Sequence, residues 1–198
     1  MMGKIIVTPP AIDTDLFRPR PKYENLIVSV GRLSPEKNHA PLILAVAELQ
    51  WALLLIVGDG PLRPQLTRLA GAVGRRVDVA GTMANAEVAK VLGQATYFVL
   101  PSLYDQSPKV VWEAMACQCA CIVSAQVGIV EDGVTGWLCD PTVPGIRAGL
   151  ELARKDENRQ RVVRAARFFV HAHSDTLSKP IVDGKPPVAS GAGSPVVG

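Results

Sequence analysis

The chain has 198 residues, of which 48% are hydrophobic and 20% charged, with a formal net charge of +3 and four cysteines. That length supports one α/β domain with a real core. Scattered basic residues and a small net charge argue against a nucleic-acid surface, and no apolar run approaches a membrane span or a secretory leader. A cytoplasmic location is the expectation.

Residues 5–9 are a short strand candidate and residues 12–21 a proline-punctuated connector, so residues 1–22 read as a linker ahead of an α/β domain over residues 23–173. Within the connector, Asp13-Thr14-Asp15 suits turn or capping roles better than a metal pair. Residues 26–30 form an apolar run that ends at Gly31. Arg32, then Lys37, precede a helix expected over about residues 40–49. A strand, a glycine, a basic loop and a helix start make a common setting for phosphate. His39 follows directly and is expected at the surface.

A second apolar strand, residues 53–57, closes on Gly58-Asp59-Gly60-Pro61, where the glycines permit a tight turn and Pro61 can open the next helix. A third, residues 77–80, ends at Gly81, and a helix is expected over residues 84–92. The fourth, residues 97–100, is stopped by Pro101. A polar loop carrying Asp105 follows, then a helix with Ser107 as cap and Pro108 as its first residue. Val110, Val111, Ala114, Met115 and Ala116 repeat at helical spacing, with Glu113 among them. Unpaired amides at that helix start, from Ser107 to Val110 and including Lys109, would attract phosphate.

Cys117, Cys119, Cys121 and Cys139 lack metal-ligand spacing and read as buried thiols. Residues 121–124 and 137–141 give two more strands, and residues 146–170 one or two helices with an arginine-rich, solvated face. From residue 174 the chain is rich in Pro, Gly, Ser and Val without a period, and residues 174–198 are expected to be a disordered tail. Strands alternating with helices imply a Rossmann-like parallel sheet with helices on both faces and ligands at the strands' carboxyl ends. Arg32, Gly58, Gly81 and Asp105 each follow a predicted strand end, so they converge on one edge. No G-x-G-x-x-G follows the first strand, which disfavours a dinucleotide oxidoreductase.

Several of these stretches together resemble the C-terminal, donor-binding half of retaining, family-four, GT-B glycosyltransferases. Their signature of two glutamates separated by seven residues appears as Asp105-Gln106-Ser107-Pro108-Lys109-Val110-Val111-Trp112-Glu113, followed by Ala114-Met115-Ala116-Cys117. Phe17-Arg18-Pro19, the Gly31-Arg32 and Lys37 spacing, Gly58-Asp59-Gly60-Pro61 and the run Ile129-Val130-Glu131-Asp132-Gly133-Val134-Thr135-Gly136 match further family features. The chain departs from the pattern at Asp105 (usually Glu), at Gln106 and Gln118 (usually Gly), at Ala120 (usually Pro), and in a turn about four residues shorter after Gly128.

The resemblance implies one half of a GT-B fold that binds a nucleotide diphosphate sugar and transfers the sugar with retention, without a bound metal or other cofactor. Arg32 and Lys37 would neutralise the diphosphate, Glu113 would hold the ribose and Asp105 the sugar. The backbone at Gly31, Gly58, Gly60, Gly81, Ser107, Pro108, Lys109 and Val110 would line the donor cleft. The acceptor domain is expected to be absent from this chain or supplied by a separate subunit, and peripheral membrane association, if any, to run through that half. A non-catalytic nucleotide-sugar-binding module and a donor subunit of a two-chain enzyme are the alternatives. Nucleic acid is not an expected partner.

Overall fold

A computed structural model describes residues 10–105 and 108–178. The expected strand at residues 5–9 and the tail beyond residue 178 lie outside these residues. The elements run in chain order as β1 (Tyr23–Val30), α1 (His39–Ala47), β2 (Leu53–Val57), α2 (Arg63–Val73), β3 (Val77–Gly81), α3 (Asn85–Gln94), β4 (Ala95–Leu100), α4 (Lys109–Ala116), β5 (Ala120–Ser124), β6 (Trp137–Cys139), α5 (Val143–Lys155) and α6 (Arg159–Ser178). The other six expected strands are all present. The last two helices are separate, broken at residues 156–158, and the second runs to Ser178, past the expected start of the tail.

Six parallel strands lie in the order β3-β2-β1-β4-β5-β6. Alternation along each strand sends successive side chains to opposite faces. Val28, Phe98, Leu100, Cys121 and Val123 pack with α3, α4 and the distal part of α6. Ile27, Tyr97, Val99 and Ile122 pack on the other face with α1, α2 and α5. The fold is therefore Rossmann-like, with helices on both faces, as the sequence implies.

The strand order reverses between β1 and β4, which pair in parallel with Ile27 opposite Tyr97 and Val28 opposite Phe98. From this point α1 leaves toward one face and α4 toward the other, the arrangement that in open α/β sheets leaves a crevice above the two strand ends. Ligands of open α/β sheets bind in such crevices.

At the opposite edge one side chain secures three carbonyls. The Lys22 ammonium donates to the carbonyls of Ala95 and Cys117, both at 2.7 Å, and more weakly to Leu92 at 3.5 Å. Arg167 donates to the Ala116 carbonyl at 2.7 Å. These cations take up carbonyls where α3 passes into β4 and at the carboxyl end of α4, where a helix terminus favours positive charge.

In the connector, the Asp13 carboxylate accepts from the amides of Asp15 and Leu16 at 3.1 and 3.0 Å. This is the turn role read from the sequence.

Candidate functional site

The floor of the crevice is main chain. The Gly31 amide donates to the Val57 carbonyl, the Leu33 amide to Asp59, the Leu62 amide to Leu33, and the Gly58 amide to Gly81, at 2.8–3.0 Å. The turns after β1, β2 and β3 are thus joined side by side. Gly58 has φ of 145°, and a Cβ there would lie 1.9 Å from the Gly31 carbonyl oxygen, so only glycine allows this approach. Gly60 also lies against the Leu33 backbone, and a Cβ on it would stand 2.5 Å from that carbonyl oxygen. Gly81 has φ of 80° and is covered by the Arg63 guanidinium, which pairs with Asp59 at 2.8 Å. Pro61 does not open α2, because the turn through Gly60 and Leu62 delays the helix to Arg63 and places Pro64 in its first turn.

Above this floor, Lys37 and Asp105 meet. The Lys37 ammonium forms an ion pair with the Asp105 carboxylate, their side chains 19% and 14% exposed. The stem of Lys37 lies over Gly31, whose added Cβ would stand 3.8 Å from its Cδ and Cε. The Leu103 amide donates to the Glu36 carbonyl at 2.8 Å, which joins the β1–α1 and β4–α4 loops through their backbones. Asn38 completes the join. It adopts φ of 56° and its side-chain amide donates to the carbonyls of Pro101 at 3.2 Å and Pro141 at 2.7 Å. Arg32 is exposed at the mouth of the crevice. Glu36 lies close by, its carboxyl held below the usual range first by the Ser34 hydroxyl and to a smaller extent by Lys37 and Arg32.

Helix α4 begins at Lys109. Pro108, expected as its first residue, occupies the cap position instead, with an extended ψ of 117°. Proline carries no N–H, so the open amides of that turn include those of Lys109 and Val110 but none from Pro108. Ser107 and Gln106 fall outside the described residues. Glu113 is 7% exposed and reaches the Lys109 ammonium at 3.3 Å. Burial raises its pKa above the ordinary carboxyl value, and the lysine acts against that shift.

Arg32, Lys37, Gly31, Gly58, Gly60, Gly81 and Asp105 therefore share the carboxyl edge of the sheet. Two contributors escaped the sequence reading. Asn38 could have been noticed as a residue tolerant of positive φ in a loop. Arg63 carries no comparable signal. His39 corrects an expectation: it is buried, 1% exposed, and neither ring nitrogen has a hydrogen-bond partner among the described residues. Burial, and secondarily Lys37, lowers its pKa to about 4.

All four cysteines are free, and Cys117, Cys119 and Cys121 are buried. Burial raises each thiol, Cys119 to about 11 and Cys139 to about 12. Among the described residues, no group of three or more His, Cys, Asp and Glu side chains is placed to hold a metal ion. Nor is any helix among them long and apolar enough to cross a membrane.

The family description "Glycosyl transferases group 1" matches residues 13–168. The chain belongs to this family. It is 31% identical over 170 residues to the alpha-D-kanosaminyltransferase of Streptomyces kanamyceticus, an alignment that covers 77% of this chain and 44% of that protein. Sucrose-phosphate synthase from Thermosynechococcus elongatus superposes with a TM-score of 0.73 at 26% identity, over 83% of this chain and 47% of the other. An Anabaena protein solved with UDP and glucose superposes with a TM-score of 0.70 at 20% identity, over 85% of this chain and 54% of its own. That last likeness establishes shared fold alone. The group 1 chain spans about half the length of these proteins, and its Rossmann-like sheet corresponds to part of a GT-B architecture.

Proposed function

We propose that this group 1 domain binds the nucleotide diphosphate sugar of a retaining GT-B glycosyltransferase, as its C-terminal, donor-binding half. The observation that carries the reading is the Lys37–Asp105 pair, with Arg32 exposed on the same loop after β1, at the point where the strand order reverses. Arg32 offers a planar fork and Lys37 a point charge to a diphosphate. As the sugar–phosphate bond breaks, negative charge grows on the diphosphate, and two cations at that edge would stabilise the growth more than they stabilise the ground state. The amides of Lys109 and Val110 at the start of α4 face the same chemistry. Glu113, behind them on α4, would accept hydrogen bonds from the ribose hydroxyls.

A crevice formed by strand ends provides one wall. The acceptor would be held by a second domain or by a separate subunit closing over that wall, and the transfer step would depend on both. Bringing an acceptor into line contributes about 7–11 kcal/mol in well-oriented systems, so this domain by itself should bind donor and transfer sugar slowly.

Isothermal titration against UDP, ADP and GDP tests the reading. One diphosphate should bind, and Arg32→Ala and Lys37→Ala should each weaken it by about 1.5–3 kcal/mol, the worth of a charged hydrogen bond. Binding of none of the three, or unchanged affinity in both variants, would refute it.

A further inference from the structure

We propose that Asp105 is a positioning residue for Lys37 rather than a ligand of the sugar. Its carboxylate holds the ammonium over the crevice floor in the place where a diphosphate would meet it. The role rests on the donor-site reading above.

Lys37 is secured at both ends. Its backbone is flanked by Glu36, whose carbonyl accepts from the Leu103 amide at 2.8 Å, and by Asn38, whose side-chain amide spans the carbonyls of Pro101 and Pro141. Its stem lies over Gly31, within ordinary van der Waals range of that residue's Cβ position. Its ammonium is taken by Asp105. A lysine side chain free in solvent samples many rotamers, and ordering it on binding weakens affinity. Here most of that ordering is complete before a ligand arrives. An ammonium has three N–H donors, so the bond to one carboxylate oxygen leaves two for phosphate oxygens.

Asp105 is already engaged with Lys37, and both side chains are mostly withdrawn from solvent. Its charge is meanwhile offset by the lysine, which limits its repulsion of an incoming diphosphate. Replacing the carboxylate by an amide therefore sets two effects against each other. Loss of a nearby negative charge would tighten diphosphate binding if repulsion governed. Loss of the anchor would weaken it if positioning governs.

The experiment is a double-mutant cycle on UDP affinity, or on that of whichever diphosphate binds, with UMP as the second ligand. Asp105→Asn is expected to weaken UDP roughly tenfold and UMP by less than about twofold, since only the diphosphate reaches Lys37 in this reading. In a Lys37→Met background the same replacement should leave UDP binding unchanged or tighter. Asp105→Glu, which keeps a carboxylate in reach, should hold UDP to within about threefold of the unaltered chain. Tighter or unchanged UDP binding in Asp105→Asn, or an equal loss in the Lys37→Met background, would overturn the proposal.

A second measurement needs no nucleotide. Acetic anhydride labelling followed by peptide mass spectrometry should modify Lys37 several-fold more slowly than exposed Lys90, and Asp105→Asn should abolish the difference. Rapid labelling of Lys37 in a chain that binds UDP would overturn the positioning role alone. Slow labelling in a chain that binds no nucleoside diphosphate would overturn the donor-site reading and this role with it.

Discussion

The buried imidazole of His39 should make the stability of the domain depend on pH in a defined window. With the ring 1% exposed and no partner for either nitrogen among the described residues, the folded chain keeps it neutral down to about pH 4. In the unfolded chain a histidine takes up its proton near 6.5. As pH falls, the unfolded state therefore binds the proton first, and stability is lost between about 6.5 and about 4, while it is fully present above that range. From those two values the loss between pH 7 and pH 4.5 is about 2.5 kcal/mol, a sizeable share of the 5–15 kcal/mol typical of a domain. Urea unfolding at several pH values would be compared for the unaltered chain and for His39→Leu, with His39→Gln as a second replacement that does not titrate. Carboxylates contribute alike to both chains, so the difference isolates the ring. Parallel pH profiles for the unaltered chain and both variants would refute the argument.

Other outcomes follow from single contacts. Gly58→Ala should destabilise by at least about 3 kcal/mol and abolish nucleotide binding, because its Cβ would meet the Gly31 carbonyl at 1.9 Å; thermal denaturation and titration check both effects. Gly71→Ala, on α2 with nothing within 4 Å of the added carbon, should instead stabilise by about 0.5 kcal/mol in the same assay. Lys22→Met should lower stability by about 2–3 kcal/mol in urea unfolding, since it strips a charged donor from the Ala95 and Cys117 carbonyls. In the native domain at pH 8, Cys117, Cys119 and Cys121 should resist iodoacetamide and react only after denaturation, since burial removes access and raises each thiol. Rapid native labelling of these three would contradict their placement.

Features that depend on neighbours in sequence were legible. Each of the six strands was marked by an apolar run and stopped by Gly, Pro or a polar loop, and the positions of Arg32, Gly58, Gly81 and Asp105 at strand ends followed from that. Features that depend on distant contacts were not. Lys37 and Asp105 are 68 residues apart, and their pairing needs β1 beside β4, an order that no local pattern encodes. His39 looks like a surface residue because it follows a charged loop, yet the helix it begins packs flat on the sheet. Lys22 reads as one more solvated lysine, although it serves carbonyls 73 and 95 residues away. Helix boundaries near proline were off by one or two residues, where a ring with no N–H suits the cap and the first turn almost equally.

The main-chain floor of the crevice has a consequence for motion. Loops at strand ends usually fray first, and their amides exchange with solvent through small local openings. Here the amides of Gly31, Leu33, Gly58 and Leu62 are bonded from one turn to the next, as rungs continuing the ladder beyond the last residues of β1, β2 and β3. None can open without disturbing its neighbour. In deuterium exchange these four should persist as long as the strands they extend, while the amides of Asn85 and Ala86, at the exposed start of α3, turn over quickly. A ligand settling on that surface would meet a template already as stiff as the sheet.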